Sequence, residues 1–517
     1  MSNSGSSRFL VAAVVWLVIL GIGVAGYRFF IAPKRQQAVI QESSSDPRFS
    51  EQITVSLDSF SGYAVLRSSE FRNELGTHSL GLQLVDDKAD YAARLLALKN
   101  GDADLAVFTI DALLAACAEA GESPGTIVMI LDETIGADAM VAYQTAVPNI
   151  NALDNPDARI VTTRESPSET LARVVLAHFN LPRLSATPWV DANGAGDVYQ
   201  KFRTADQKQP YVYVLWEPYV SKALEVKGAH LLIDSSKFRG YIVDVLVARR
   251  QYLLEHEDRV KLFMEAYQRA SYQYRNKPQG LADLVSRDAQ ASGEPATAAQ
   301  AKAMADSIWW KNTQENYAHF GILAPSSSQG LQHIDEMIRN INAVLLKTKA
   351  IAADPTGGQP NTWYYDKILR QMHAAQFHPS LISGMGKEET VRNQQALAPL
   401  NEAEWNKLTE VGTLEVESLS FARGTSKLTV RSEYVLTTLA KTLADWPQYY
   451  LEVRGHSRRE GDEEANRLLA EQRAQAAAEF IKSQGVAAAR VRSQATPAAG
   501  TGGDAQSVSF VLGQKPY

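Results

Sequence analysis

Cysteine is almost absent. Cys117 is the only one in 517 residues, so neither an intramolecular disulfide nor a cysteine-ligated zinc site can form within the chain. Cys117 lies in the apolar run 112–118 and reads as a small buried hydrophobe rather than a reactive thiol. A single thiol also suits an oxidising compartment. An excess of positive charge is missing too: 52 Lys and Arg stand against 58 Asp and Glu, a net charge of −6. The chain therefore lacks the basic field that nucleic-acid binding requires. No nucleophile–base pair or cluster of metal ligands is visible, and no cofactor motif. Asn193-Gly194-Ala195-Gly196 lacks both the GxGxxG spacing and a preceding strand, and reads as a turn. With 45% hydrophobic and 21% charged residues, wholesale disorder is excluded, and the length suits two to four domains. These absences predict a protein that binds rather than catalyses.

Against this background stands one long uncharged apolar run, from Phe9 to Tyr27. It has about the 20 residues a helix needs to cross a bilayer core and exceeds the apolar region of a secretory signal, about 7–15 residues. Residues 1–35 are thus expected to form an uncleaved transmembrane anchor, followed by a polar tether over 36–49. The flanking charges, Arg8 before and Arg28, Lys34 and Arg35 after, weakly favour the opposite orientation. The character of the downstream regions overrides them and places the bulk of the chain in the periplasm of a bacterial inner-membrane protein.

Residues 50–375 alternate strand-like and helix-like patterns. Strands are expected at 53–57, 81–85, 104–109, 127–131, 158–163 and 211–215, with a helix from Tyr91 stopped at Asn100-Gly101. Such alternation predicts α/β structure with a largely parallel sheet, in which ligands sit beyond the carboxyl ends of strands. Polar residues recur there. Asp58, Ser59 and Ser61 follow the first strand, Thr109 and Asp111 the third, and Asp132 the fourth. Ser166 and Ser168 open a helix, and Trp216-Glu217-Pro218 follows 211–215. Each alone reads equally as an N-cap or loop residue; their recurrence points to a ligand site. Trp309-Trp310 reads as lobe core.

The order of LeuLysAsnGlyAspAlaAspLeuAlaVal (98–107), an apolar helix, GluSerProSer near 165 and LeuTrpGluProTyr (215–219) resembles periplasmic solute-binding proteins of the nitrate, taurine and thiamine-precursor type. The resemblance implies a type II fold, two α/β lobes closing on a small solute, with crossovers near 150–160 and 235–245. It implies Trp216 as a pocket wall, Glu217 as an acceptor, and Asp58, Ser59, Thr109, Asp132 and Ser166 as ligand contacts. An enzymatic relative uses a cysteine-rich motif that is absent here. Because the candidate residues are largely acidic, a cationic, amino or neutral heterocyclic solute fits better than an anion.

Residues 376–401 read as a linker. From 402 to 517 a second pattern begins: strands at 413–417, 450–456 and 507–512, with helices ending near Trp446 and Gly485. Gly455-His456-Ser457 followed by Asn466, Leu469, Arg473 and Ala474 resembles the OmpA-like domain, a small α/β sandwich that binds the diaminopimelate arm of peptidoglycan. The resemblance implies Asn466 and Arg473 as wall-binding residues, with Arg473 able to fork onto a carboxylate. Arg458 stands where the family has aspartate, setting two cations side by side, and the usual Asn-Arg-Arg before the last strand is replaced by residues 504–507. The expectation is an anchored envelope protein that binds a small solute, with no cofactor, and contacts peptidoglycan, a permease or another envelope partner. The competing expectation is a structural envelope protein whose lobes hold no ligand.

Overall fold

The computed structural model describes residues 51–516 apart from 294, 325, 329, 381–387, 393–396, 458–460 and 497–507. The expected anchor and tether, Arg458 and the segment 504–507 lie outside the described residues. Among those described, no helix is long and apolar enough to cross a membrane.

Short apolar runs rich in β-branched residues make the strands. β1 (Glu51–Leu57) lies parallel between β2 (Leu80–Asp86) and β3 (Leu105–Thr109). β4 (Gly125–Thr134) is buried along its whole length. Residues 135–137 then carry the chain into a second sheet, where β5 (Asp138–Tyr143) sits among β6 (Arg159–Thr163), β7 (Trp189–Ala192), β8 (Tyr211–Trp216) and β9 (Ala229–Asp234), in the order β7-β6-β8-β5-β9. After residues 235–242 the chain is back in the first sheet as β10 (Val243–Arg249). With β11 (Ile308–Trp310) at one edge, that sheet has the order β11-β4-β10-β3-β1-β2.

β5 and β10 are each antiparallel to both of their neighbours. Each has just crossed from the other lobe and enters at the carboxyl ends of the parallel strands: Asp138 lies opposite Trp216, and Asp244 opposite Thr109. A strand arriving at that edge can only run back through the sheet. The first crossover is therefore at 135–137, not near 150–160. Residues 150–153 instead form a single 3-10 turn. The second crossover falls where the resemblance places it. β5, β7, β9, β10 and β11 are absent from the sequence reading, since their apolar runs are short or broken by a single acid.

The C-terminal region forms a separate four-stranded sheet, β12 (Thr409–Thr413), β15 (Val508–Gln514), β13 (Tyr450–His456) and β14 (Val491–Thr496), in the order β12-β15-β13-β14. Helices 430–445 and 463–483 pack together, and the second lies on β13 and β14. Gly455 is required there, because a Cβ at this position would lie 2.0 Å from the Ala470 carbonyl oxygen. The first strand is 409–413, not 413–417. The alternating run beyond it docks on the second lobe: Leu414 bridges Phe179, Asn180 N donates to Thr413 O (2.9 Å) and Glu415 N to His178 O (2.7 Å).

Trp446 completes this junction among His178, Phe179 and Phe238, while Arg239 N donates to Asp445 O (2.8 Å). Helix 334–347, which packs on helices 110–120 and 167–178 of the two lobes, adds Asn340 to Asp445 (3.0 Å) and Lys347 to Glu415 (2.7 Å). One apolar cluster accordingly runs from the first lobe into the C-terminal module. Part of the expected linker is tied down as well. Glu389 accepts from Arg275 (2.6 Å) and Thr313 N, and the Thr390 carbonyl from Asn312.

Candidate functional site: an acidic interlobe cleft

The carboxyl ends of β1, β3 and β4 and the start of β10 lie side by side on the edge of the first lobe that faces the second. Burial and pairing organise their acids. Asp58 accepts from Arg94 (2.9 Å), and Arg94, wholly buried, also serves Asp87 (2.5 Å) and the Val107 carbonyl. Asp132 and Asp244 are register partners on adjacent strands, 0% and 1% exposed. The Tyr63 hydroxyl donates to Asp244. No N–H and no Ser, Thr or Tyr hydroxyl donates to either oxygen of Asp132, whose one side-chain partner is the Asp244 carboxyl. Burial and the Asp244 charge beside it push Asp132 well above the usual carboxylate range. Asp244 is pushed up to about 7, by burial first and then by Asp58. Two buried carboxyls on paired strands cannot both ionise cheaply, so burial and their mutual charge favour one of them protonated. The Tyr267 hydroxyl, also buried and without a partner, lies in the field of both acids.

Gly62 opens the way to this pair. A Cβ there would fall 2.4 Å from the Phe60 ring and 2.7 Å from Asp132 Oδ2, so only glycine lets the 61–63 turn rest on the carboxyl. Trp310 anchors the same turn by donating to the Gly62 carbonyl (2.9 Å).

The second lobe answers with hydroxyls. Thr170, on helix 167–178, donates to Asp111 Oδ2 (2.5 Å) across the lobes. Burial raises Asp111, against which the Thr170 and Thr109 hydroxyls hold it down. Ser168, wholly buried, donates to Asp138 (2.5 Å), which burial raises to about 7. Trp216 is half-buried beside Asp138 in the sheet.

Of the residues singled out from sequence, Asp58, Thr109, Asp111, Asp132 and Ser168 converge on the cleft edge, with Trp216 at its border. The others have local tasks. Ser59 is exposed, and half-buried Ser61 opens the turn. Ser166 caps helix 167–178 by accepting from Glu169 N (3.3 Å), and Glu217 accepts from the Ser221 hydroxyl (2.9 Å) at the start of the next helix. Sequence reasoning missed Arg94, Asp138, Thr170, Asp244 and Tyr267. The available signal was a lone charge in an apolar run, as in ValAspValLeuVal, since a buried charge is retained only with partners or purpose.

Glu133 points away from the cleft and is held below its usual range, against its burial, by Lys311 (2.6 Å). Among the described residues no group of three His, Cys, Asp or Glu side chains is placed to hold a metal ion.

In the C-terminal module His456 is fixed by Ser509 (2.8 Å) and Thr496 (2.9 Å). Arg473 donates to the Thr425 carbonyl (3.1 Å) and lies over the Phe421 ring. Asn466 stands in the first turn of the same helix 463–483, beside Gly461.

Two lobes exchanging strands in this way define a periplasmic-binding-protein α/β fold, and the C-terminal module is an OmpA-family domain: the OmpA family model matches residues 420–506. Among solved structures, the chain is similar to the periplasmic aliphatic sulphonate binding protein SsuA from Escherichia coli, with 14% identity, 62% of this chain and 99% of that one covered, and a TM-score of 0.46. It is also similar to the alkanesulfonate-binding protein SsuA from Xanthomonas axonopodis pv. citri bound to MOPS (15%, 59% and 95%, 0.44). A third is the periplasmic nitrate-binding protein NrtA from Synechocystis PCC 6803 (10%, 63% and 89%, 0.44). No curated protein sequence matches.

Proposed function

We propose that this chain is a cell-envelope protein that binds a small solute between its two lobes, without catalysis, and attaches to peptidoglycan or an envelope partner through its OmpA-family domain. The observation that supports solute binding is the row of buried polar side chains at the strand ends, Asp58, Asp111, Asp132, Asp138 and Asp244, facing the other lobe. A core alone has no use for such a row, since buried carboxyls cost stability. On this reading the Asp111–Thr170 hydrogen bond is the latch of the closed state, and residues 1–35 anchor the chain in the inner membrane with both modules in the periplasm.

Thermal-shift screening of the full chain against small solutes tests the cleft. A solute that raises the midpoint in proportion to the logarithm of its concentration is expected, and none doing so leaves the lobes as an interaction surface. Sedimentation with purified peptidoglycan tests the second module: the native chain is expected in the pellet and Arg473→Ala in the supernatant. If the native chain stays soluble and Arg458→Asp sediments, the module serves a protein partner instead.

A further inference from the structure

We infer that the solute is a small organic cation, an alkylammonium or protonated amine, seated on Asp132 and Asp244 beneath the rings of Phe60 and Tyr63. The inference rests on the solute-binding reading above and names its ligand class. The acids of the cleft outnumber its cations. Arg94 is committed to Asp58, Asp87 and a carbonyl, and Lys311 is committed to Glu133. Apart from the contact between the Asp132 and Asp244 carboxyls themselves, no N–H and no Ser, Thr or Tyr hydroxyl reaches the buried oxygens of Asp132, nor one oxygen each of Asp111 and Asp244. These acceptors call for N–H donors from outside.

The helix ends that would hold an anion disfavour one. Helix N-termini attract anions through their free N–H groups and positive dipole ends. Here helix 110–120 carries Asp111 in its first turn, and helix 167–178 carries Ser166 as cap and Glu169 in its first turn. The second end is capped by Ser166, and the first carries the Asp111 carboxyl where an anion would sit. A bare metal ion finds no set of three ligands among the described residues.

An organic ammonium needs fewer, more widely spread acceptors and gains from aromatic faces. Those faces are present: Phe60 and Tyr63 meet edge to face at 5.2 Å, and Trp310 holds the turn that carries them. Phe60 and Asp132 share the space that a side chain at Gly62 would take, so swinging the half-buried Phe60 outward uncovers the carboxyl. The buried Tyr267 hydroxyl, lacking a partner, stands ready to accept from a second N–H.

The test is calorimetric and thermal-shift titration of the full chain with putrescine and choline, alongside nitrate, propanesulfonate and glucose. A cation is expected to raise the midpoint, to release protons on binding as it displaces the proton of the acid pair, and to bind roughly thirtyfold or more weakly to Asp132→Asn. The inference is overturned if an anion or glucose shifts the midpoint and the cations do not, which leaves the cleft reading standing. It is overturned equally if cations bind without proton release, or bind Asp132→Asn and Asp244→Asn as well as the native chain. If no solute of any charge binds, the cleft reading itself falls. Proton release is read on the native chain, so the outcome stands even where a variant does not fold.

Discussion

Trp446 meets Phe238 edge-on at 4.8 Å between ring centroids, which sets the C-terminal domain directly on the segment that returns the chain from the second lobe to the first. Trp446 is wholly buried, and His178, Phe179 and Tyr449 complete its surround. The modules are thus one packed body at this junction, and the hinge side of the lobes is where the OmpA-family domain rests. Trp446→Ala is expected to cost about 3–5 kcal/mol and to split a single denaturant transition into two, since the cavity falls between modules. Urea unfolding followed separately by fluorescence and circular dichroism checks this.

Lys311 and Glu133 form an ion pair with exposures of 0% and 3% for the side chains. Lys311→Met leaves the Glu133 charge buried without its partner and is expected to destabilise by about 3–5 kcal/mol. Adding Glu133→Gln keeps an acceptor for Gly240 N and should recover most of the loss. A double-mutant cycle measured by chemical unfolding decides the matter, and additive losses would contradict the pairing.

The cleft acids predict an unusual pH dependence. Asp138 and Asp244 sit at about 7 in the folded chain, against about 3.9 for an unfolded aspartate. The folded state therefore prefers the protonated form. Its contribution is complete below pH 4 and is lost as the pH rises towards and through 7. Asp138→Asn should flatten this fall by up to roughly 4 kcal/mol while still accepting from Ser168. Burial lowers His178 to about 4, with the opposite sense: its contribution is present above about 6.5 and is lost on acidification towards 4. Melting temperature against pH, for the native chain and Asp138→Asn, separates the two limbs.

Gly455→Ala would drive a methyl group into the Ala470 carbonyl at 2.0 Å. Backbone lies on both sides, so helix 463–483 must lift from β13. A loss of about 1–3 kcal/mol or more is expected in the single unfolding transition, and urea unfolding of Gly455→Ala against the native chain measures it. The glycine of the Gly-His pair is on this account a packing residue, and His456, pinned by Ser509 and Thr496, shapes the strand end.

Much of this was legible along the chain. The strand at 104–109, the helix stopped at Gly101 and the helix opened by Ser166 follow from local patterning, and in the structure Gly101 adopts φ 81° and Ser166 accepts the capping N–H. Alternation at 413–417 was genuine too, yet Leu414 and Glu415 find their partners at Phe179 and His178. Strand propensity marks a segment as extended and says nothing about which backbone will meet it. β5 and β10 escaped for a related reason: in AspAlaMetValAlaTyr and ValAspValLeuValAlaArg the acid looks like a turn signal until the sheet shows it at the cleft edge.

The amino-acid sequence by itself determined the charge balance, the lack of disulfide chemistry, the alternating α/β pattern and the OmpA-family motif. Each is a matter of composition or of spacing within one element. The tertiary structure alone decided that the chain crosses at 135–137, and that acids from positions 58, 111, 132 and 244 share one edge, with Asp138 on the other lobe. It also decided that Asp132 meets no donor except the Asp244 carboxyl beside it. Such facts depend on which strand ends lie side by side, and antiparallel insertion of the crossing strands brings together residues that lie far apart along the chain.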